Sequence, residues 1–457
     1  MSSLPPAIAV GALYDSLLQS ALRQFFNRAV LDTEPTPSVS SDGRLAIEPS
    51  ADPKELTIRW FGTRYRLRVR GKWPFTPHEV RLARAIGAVL AARYRAILNP
   101  RVVAERGDLF SGAIEDRYVG AFLDPQSYAI DGGARRADRV ATVIELLRVA
   151  ALSSYENRPI STGVLLLGTA DDPCRPAVPP QATAPSYTEL LTGTKSFYRL
   201  ADGVRTVFLA NADGRLLDII DIERWSGDVC RGIGLQTPCA KAFQAHARAT
   251  LRHGHVCAVL SPSREIKIFA EGAEAFAFRG ASWHLLDLKA KYDVWAAAVG
   301  HHGVALRLFQ TALDLADARD GALFVVVRDP QAAVPQLVAP ADRLDSHAVP
   351  RHPSTGDAPS RRELLHLLAG RSVTDLDPSV FAALASIDGA TVTDRDGRLL
   401  AAGAILRHPA TEDFEHGGII EGARTTAAMA ASRFGPVLKV SEDGVITFFD
   451  RERVWEI

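Results

Sequence analysis

Apolar and polar residues alternate in patterns that predict both strands and helices in the first third of the chain. From Thr63 to Arg70 every second residue is an arginine and the residues between them are apolar, which is typical of a strand with one buried side. The run Thr76-Pro77-His78-Glu79 is a capping box with proline at the first helical position, and apolar residues recur at helical spacing from there to Pro100. A second apolar stripe predicts a helix over Arg139–Leu152.

The last third contains short apolar runs bounded by glycine and polar residues. These runs predict strands at Asp320–Val327, Thr391–Thr393, Leu399–Leu406 and Val445–Phe449. An alanine-rich stretch after Gly422 predicts a helix before the last of them. The mixture predicts an α/β (α+β) protein in which a mixed sheet has flanking helices.

Three small polar clusters interrupt this region, at Ile387–Ala390, Gly422–Ala428 and Val440–Gly444. Each is at the edge of a predicted strand or at the start of a predicted helix. Any one of them alone is more often an ordinary turn. Their order and spacing together predict a nucleotide site.

The second cluster contains residue types that suit a phosphate ligand. Gly422 allows the backbone to approach a ligand closely. Arg424, Thr425 and Thr426 offer donors at a helix N-terminus, where free N–H groups and the helix dipole favour an anion. Asp388 and Glu442 each open a glycine-containing turn beside an apolar strand, so they are the candidates for holding a divalent metal ion against phosphate oxygens.

The clusters resemble, over roughly Ala312–Phe449, the diadenylate cyclase domain of DNA-integrity scanning proteins and of membrane-bound cyclic di-AMP synthases. The Asp-Gly-Ala motif of that family is similar to Asp388-Gly389-Ala390, and its closing Ser-Glu-Glu-like turn to Ser441-Glu442-Asp443. Its Gly-Thr-Arg-His-Arg motif corresponds to Gly422-Ala423-Arg424-Thr425-Thr426, where the first arginine is kept and the histidine and second arginine are replaced. This departure bears on catalytic rate more than on nucleotide binding.

The resemblance implies a nucleotidyltransferase that condenses two ATP into the second messenger cyclic di-AMP and pyrophosphate. It implies catalytic roles for Asp388, Arg424 and Glu442, with Asp388 and Glu442 holding Mg²⁺ or Mn²⁺. The nucleotide-binding residues it implies are Gly389, Ala390, Leu406, Gly422, Ala423, Thr425, Thr426 and Ser441. Leu406 would contact the adenine. Two domains of this family face each other with one ATP each, so the resemblance also implies a homo-oligomer.

Two other functions remain open from the residues alone. In the first, the altered Arg-Thr-Thr loop makes the protein a non-catalytic nucleotide-binding sensor that reports ATP or a cyclic nucleotide to the N-terminal region. In the second, the same scaffold makes a different nucleotide product.

A weaker copy of the pattern occurs upstream, with its features in the same order. The segments Thr162–Leu167, Asp202–Val204, Asp213–Leu217, Ala245–Thr250 and Ser261–Phe269 are similar to Asp320–Val325, Asp388–Ala390, Asp396–Leu400, Ala423–Ala428 and Ser441–Phe449, respectively. Pro262 replaces Glu442, so we interpret the copy as a degenerate sensor or pseudo-catalytic domain; chance similarity of two strand-turn-helix units is the alternative. The predicted division is therefore an N-terminal α+β domain over residues 1–153, the degenerate copy over 154–300 and the cyclase-like domain over 301–457.

Composition limits the class of protein. The 457 residues are 47% hydrophobic and 23% charged, as in a globular chain with full-sized cores. Lys plus Arg and Asp plus Glu both number 53, so no net charge favours nucleic acid as a partner. No apolar run is long enough for a membrane span, and a cytoplasmic location is predicted. The four cysteines lack Cys-x-x-Cys spacing and are expected to be buried free thiols.

Three further features are predicted to be structural. The arginine face of Thr63–Arg70 is expected to be solvated or ion-paired, with an anionic ligand or nucleic acid as the alternative. His301-His302 is expected to cap a helix or lie on the surface, because matching metal ligands are absent. Pro340–Pro359, which ends before a capping box at Ser360–Glu363, is expected to be a surface loop, with a mobile insertion over the site as the alternative.

Overall fold

The computed structural model describes residues 6–26, 29–35, 45–69, 74–128, 138–168, 185–193, 195–344, 365–407 and 422–457. The chain divides into two compact units, one made of Met1–Gln236 and Phe243–Asp287, the other of Thr237–Ala242 and Leu288–Ile457. Both contain helices and mixed or antiparallel sheets, so the predicted α/β class is confirmed.

The apolar stripes predicted between Thr76 and Pro100 and over Arg139–Leu152 form the buried faces of two helices of the first unit. The described α-helices of this unit follow in chain order. They are α1 (Pro6–Phe25), α2 (Pro77–Ile97), α3 (Pro100–Glu105), α4 (Ile114–Leu123), α5 (Arg139–Ala151), α6 (Tyr187–Gly193), α7 (Ile222–Val229) and α8 (Gln244–Ala249). The capping box that begins α2 is present, since the Glu79 backbone donates to Thr76 Oγ1 and the Thr76 backbone donates to Glu79 Oε2. The helix ends before Pro100, as predicted.

An antiparallel sheet precedes α2 in the order β1-β4-β3-β2. Its strands are β1 (Ala29–Pro35), β2 (Ala46–Pro49), β3 (Glu55–Trp60) and β4 (Thr63–Val69). The tyrosine and leucine of β4 are buried, while Arg66 and Arg68 on the other face pair with Glu34 and Asp32 of β1. The prediction of an ion-paired arginine face is therefore confirmed for these two residues, and Arg70 lies outside the described residues.

A second sheet of the first unit has the order β13-β12-β11-β10-β7-β8-β9. Its strands are β7 (Thr162–Leu166), β8 (Thr206–Ala210), β9 (Leu216–Asp221), β10 (Val256–Leu260), β11 (Ile266–Ala270), β12 (Ala273–Arg279) and β13 (Ser282–Leu285). A short hairpin, β5 (Ser154–Tyr155) and β6 (Arg158–Pro159), precedes it. One hydrophobic core runs from Tyr14 on α1 to Trp283 on β13, so the predicted segments 1–153 and 154–300 both contribute to this core.

The second unit has a sheet in the order β16-β15-β14-β17-β18-β19. Its strands are β14 (Ala322–Val326), β15 (Ala390–Thr393), β16 (Leu399–Ala404), β17 (Val437–Val440), β18 (Ile446–Asp450) and β19 (Glu452–Glu456). Its helices are α9 (Leu288–Val299), α10 (His302–Ala318), α11 (Pro330–Leu337), α12 (Pro378–Ala385) and α13 (Ala423–Ala431). His301 caps α10 by accepting a hydrogen bond from the Val304 backbone, as predicted. Most of the predicted surface loop Pro340–Pro359, and the capping box predicted after it, lie outside the described residues, which omit 345–364.

The two larger sheets have the same connectivity. In each, the first strand pairs in parallel with the second (β7 with β8, β14 with β15), and the other pairings of the shared strands are antiparallel. A helix precedes the fourth strand in both cases, α8 before β10 and α13 before β17. The similarity between the upstream and C-terminal segments therefore extends to the order and direction of six strands in each sheet.

Matching turns follow the shared strands. Gly214 and Gly397 have φ of +77° and +82°, and their amides donate to the carbonyls of Asn211 and Asp394. The turn after β10 closes with the Ser261 amide donating to the Glu265 carbonyl, and the Ser441 amide likewise donates to Val445 after β17. These positions agree with the alignment predicted from the sequence.

The register of the parallel strands corrects another part of that alignment. Ala258 pairs with Val164, which pairs with Phe208; Leu438 pairs with Phe324, which pairs with Thr391. Phe208 and Thr391 are therefore equivalent positions in the two sheets. Three residues before them are Arg205 and Asp388, so Arg205, not Asp202, is the equivalent of Asp388. The predicted match of Asp202-Gly203 to Asp388-Gly389 is wrong by three residues, because a short Asp-Gly signal is common in turns and does not fix register.

Candidate functional site

Three distant segments of the second unit converge on the guanidinium of Arg424. Its Nη2 lies 3.8 Å from Oδ1 of Asp388, and its Nη1 lies 3.5 Å from Oε1 of Glu442. The side chains of Asp388 and Glu442 are fully exposed and 75% exposed, so the cluster faces solvent. The structure thus brings together the three residues for which the resemblance implies catalytic roles.

Asp388 lies in a turn that requires glycine at the next position. Gly389 has φ of +112°, and a Cβ there would lie 2.5 Å from the Gly403 carbonyl oxygen and 2.8 Å from the Ala404 nitrogen. Ala390 then opens β15 opposite Ala404 on β16. The Gly-Ala pair lets the backbones of β15 and β16 approach closely. This close packing fixes the position of Asp388, which lies two residues before the start of β15.

The N-terminus of α13 is built on Gly422. Among the described residues no side chain caps this helix, and the amides of Thr425 and Thr426 donate to the Gly422 carbonyl at 2.8 and 3.2 Å. Gly422 and Ala423 are exposed, so the backbone of the first turn is accessible from solvent. Such a helix end favours an anion through its dipole and its N–H groups.

Gly321, immediately before β14, makes room for Arg424. A Cβ on Gly321 would overlap Nη1 of Arg424 and lie 2.8 Å from its Cζ. The guanidinium therefore lies close to the backbone at the start of the central strand. This role of Gly321 was not predicted, although the sequence analysis included the residue in the opening strand.

Thr425 faces the protein interior and not the solvent. Its side chain is 7% exposed, and its Oγ1 accepts a hydrogen bond of 2.9 Å from Nζ of Lys439 on β17. Lys439 was missed by sequence reasoning. Its only sequence signal is that it is the one charged residue of Val437–Val440.

Ser441 is engaged within its own turn. Its Oγ donates to Asp443 Oδ1 and lies 3.1 Å from the Val445 carbonyl oxygen. The guanidinium of Arg319 donates to the Asp443 carbonyl, and Gly444 has φ of +80°. These contacts fix the turn that presents Glu442 to solvent.

Leu406, to which the resemblance gave an adenine contact, is placed in the core. It is 7% exposed and belongs to the hydrophobic cluster of the second unit. Its backbone forms an isolated antiparallel β-bridge with Val338. The neighbouring Ile405 is 77% exposed and is the large apolar side chain that reaches solvent at this strand end.

The described residues contain no group of three or more His, Cys, Asp or Glu side chains arranged to hold a metal ion. Asp388 and Glu442 are nevertheless two carboxylates within reach of one guanidinium. Mg²⁺ is usually bound by one or two carboxylates together with substrate phosphates and water, so this pair fits such an ion only when a phosphate ligand is also bound.

No protein-family model matches the chain, and no curated protein matches it. Among solved structures, the chain is similar to one described as a hypothetical membrane spanning protein from Bacillus cereus. The match has 18% sequence identity and a TM-score of 0.23, and it covers 36% of this chain and 73% of the other. In the part of the chain that the structure describes, no helix is long and apolar enough to cross a membrane.

The upstream sheet lacks the Asp388–Arg424–Glu442 arrangement. Arg205 occupies the register position of Asp388, and it pairs with Asp221 at 3.6 Å. Asp202 accepts backbone hydrogen bonds at 2.7 to 2.9 Å. Partial burial of the Asp202 carboxylate raises its pKa, but these N–H donors outweigh that effect and hold the pKa of Asp202 below its usual value. Asp202 is therefore a turn-forming residue.

His246 of the upstream copy is a core residue. It is fully buried, and its Nε2 lies 2.9 Å from the Gly203 carbonyl oxygen. Burial lowers the pKa of His246 to about 4, so the ring is neutral at pH 7 and donates to that carbonyl. Cys230, Cys239 and Cys257 are buried free thiols, as predicted, and Cys174 lies outside the described residues.

Proposed function

We propose that the second unit binds ATP and is a diadenylate cyclase that condenses two ATP into cyclic di-AMP and pyrophosphate. The observation that supports this proposal is the position of Arg424 between Asp388 and Glu442, at 3.8 and 3.5 Å. Two exposed carboxylates, an arginine and a helix N-terminus on one edge of a sheet suit a triphosphate and its metal ion. Asp388, Arg424 and Glu442 come from three segments that are each an ordinary turn or helix start, and their side chains lie close together.

In this proposal each residue has a positioning or electrostatic role. Arg424 and the first turn of α13 contact phosphate oxygens and neutralise the charge that develops during phosphoryl transfer. Gly389 and Ala390 allow the ribose to approach the strand backbone. Asp388 orients the attacking 3′-hydroxyl. Mg²⁺ or Mn²⁺ bound by Asp388 and Glu442 would neutralise phosphate charge.

The proposed reaction needs two sites. Each copy of the cluster binds one ATP, and the 3′-hydroxyl of one nucleotide must reach the α-phosphate of the other. Since the register-equivalent position of the upstream sheet has Arg205 instead of an aspartate, we propose that the second site comes from another copy of the chain. The active form is then a homo-oligomer.

The second candidate function is a nucleotide sensor without turnover. The placement of Thr425 favours it, because this residue replaces a histidine of the resembled motif and its hydroxyl is buried against Lys439. A sensor of this kind would bind ATP or a cyclic nucleotide and release it unchanged.

The test is incubation of the purified protein with ATP and Mn²⁺, then with Mg²⁺, followed by mass spectrometry of the products. Asp388→Asn removes one carboxylate charge, and Asp396→Asn is a matched control because Asp396 also precedes a glycine at an exposed turn beside β16. We expect cyclic di-AMP from the wild type and the control, and none from Asp388→Asn. If the protein binds ATP but all of the ATP is recovered intact, the protein is a nucleotide sensor and not a cyclase.

A further inference from the structure

The first unit contains a buried arginine whose hydrogen-bond donors are only partly used. Arg117, on α4, is 1% exposed. Its Nη2 donates to Oγ of Ser111 at 2.7 Å and to the Ser111 carbonyl oxygen at 3.4 Å. Among the described residues, neither Nε nor Nη1 of this guanidinium has a hydrogen-bond acceptor. Buried donors without acceptors are costly, so this position favours an acceptor that does not belong to the chain.

Asp108, one of the two acids that act on Arg117, is held by a second arginine. Arg106 is 7% exposed, and its Nε and Nη2 donate to the two oxygens of the Asp108 carboxylate at 2.8 and 3.0 Å. Burial raises the pKa of Asp108, but the hydrogen bonds from Arg106 and the charges of both arginines outweigh this effect and lower it. Asp108 is therefore ionised, and its charge is already paired with Arg106.

Asp138, the other acid, is fully buried and caps α5. A Cβ on Gly120, one turn after Arg117, would overlap its Oδ2. The two Asp138 oxygens accept hydrogen bonds from the Ala141 backbone at 2.9 Å and from the Tyr128 hydroxyl at 2.7 Å. Burial raises the pKa of Asp138 despite these donors and the nearby charge of Arg117. Asp138 is therefore a weak counter-charge for the arginine.

Arg117 is buried but lies close to the surface. Ser111, which accepts from its Nη2, is exposed, and so is Gly112. Gly112 has φ of +62°, and a Cβ there would lie 2.9 Å from Oε2 of Glu145 on α5. The turn beside Arg117 thus has room for little more than its own backbone and one neighbouring carboxylate. Only a small ligand suits such a place.

We propose that Arg117 binds a small monovalent anion, either chloride or the carboxylate of a small organic acid. Both carry one negative charge and accept hydrogen bonds from N–H groups. The anion would use donors that the described residues leave open, and it would supply the counter-charge that Asp108 gives to Arg106. A water molecule could accept the same hydrogen bonds but would add no charge. The inference is independent of the proposed function, because it concerns the first unit.

Thermal unfolding of the full chain in sodium chloride, sodium formate and sodium gluconate tests the inference. Gluconate is too large for this place, and it keeps the ionic strength constant as the other anions are varied. Arg117→Met removes the guanidinium, and Glu145→Gln removes the negative charge beside the turn. Arg231→Met is the control, because Arg231 is an arginine of the same unit with an 85% exposed side chain. Circular dichroism checks that each variant is folded.

We expect the wild type and Arg231→Met to gain about 2–4 °C in Tm for each tenfold rise in chloride or formate above the dissociation constant. Arg117→Met should show no such gain. Glu145→Gln should reach the wild-type gain at an anion concentration about two- to threefold lower, since a like charge is removed. A larger gain with formate would identify the carboxylate as the ligand, and a larger gain with chloride would identify the halide.

A wild-type Tm that stays constant when chloride or formate replaces gluconate would overturn the proposal, and so would an equal gain in Arg117→Met. If Arg117→Met does not fold, Glu145→Gln decides the question, because an unchanged concentration dependence in that variant would also overturn the site. Product analysis with ATP tests the second unit separately. Neither formation nor absence of cyclic di-AMP changes the reading of the anion titration.

Discussion

A methyl group on Gly321 would overlap Nη1 of Arg424 and lie 2.8 Å from its Cζ. The arginine side chain therefore depends on a glycine from another element for its position between two carboxylates. The obstructing atoms are the end of a flexible side chain, and Gly321 does not have positive φ. A side chain at position 321 should therefore move Arg424 within the site and have little effect on the stability of the fold.

Gly321→Ala should displace Arg424 and weaken ATP binding about tenfold, because a charge-assisted contact to phosphate is lost. The free energy of unfolding should change by less than about 0.5 kcal/mol. Calorimetric titration with ATP and urea denaturation measure the two effects. Gly234→Ala is the control, since a Cβ there meets no atom within 4 Å. Full ATP affinity in Gly321→Ala would show that the position of Arg424 does not matter for binding.

Gly389→Ala should destabilise the second unit strongly. Its φ of +112° is unfavourable for alanine, and the added Cβ would lie 2.5 Å from the Gly403 carbonyl oxygen. We expect a loss of about 3 kcal/mol or more in the free energy of unfolding, measured by urea denaturation.

Gly300→Ala separates the two causes of that loss. Gly300 also has positive φ, +77°, but its Cβ would meet nothing within 4 Å. Its substitution should cost only about 1–2 kcal/mol from backbone strain. Equal losses in the two variants would mean that the close approach of β15 and β16 is not important.

Stability should depend on pH through His78 of the first unit. A hydrogen bond with Asp287, at 2.8 Å, and an ion pair with Glu271, at 3.7 Å, raise the pKa of His78 from 6.5 to about 9. A group whose pKa is raised by folding stabilises the folded state below its unfolded pKa, and this contribution is lost as the pH rises through the folded pKa. The free energy of unfolding should therefore fall between pH 6.5 and about 9.

His78→Gln should remove that decrease, which urea denaturation at several pH values can measure. Arg81→Gln is the control, because Arg81 also contacts Glu271, so its loss disturbs the same carboxylate without removing the imidazole. A wild-type profile that is flat from pH 6.5 to 9, or a decrease that persists in His78→Gln, would contradict the assignment.

Asp116→Ala should destabilise the first unit by about 3–5 kcal/mol, because it leaves buried donors without their acceptor. Asp116 is 2% exposed and accepts hydrogen bonds from Arg148 at 2.6 Å and from the Trp283 indole at 2.8 Å. Thermal or urea denaturation measures the loss. Glu115→Ala, one residue earlier on α4, should change stability by less than about 0.5 kcal/mol. Similar values for the two variants would show that the network adds little.

Local signals in the sequence determined much of the secondary structure. The capping box at Thr76–Glu79 and the alternation of Thr63–Arg70 predicted α2 and β4 because caps and side-chain periodicity act within a few residues. The turn that follows β17 was predicted in the same way. The sequence also placed Asp388, Arg424 and Glu442 at the ends of elements, and the structure brings them together.

The tertiary structure decided what depends on contacts between distant segments. The overlap of Gly321 with Arg424 joins segments far apart in sequence, and the hydrogen bond from Lys439 to Thr425 joins two successive elements across 14 residues. Neither contact lies within the few residues that a local pattern covers. Likewise, the pairing of β7 with β8 fixed the register that an isolated Asp-Gly signal misplaced. Apolar periodicity selects strands and their faces, but only packing of the whole sheet selects their partners and register.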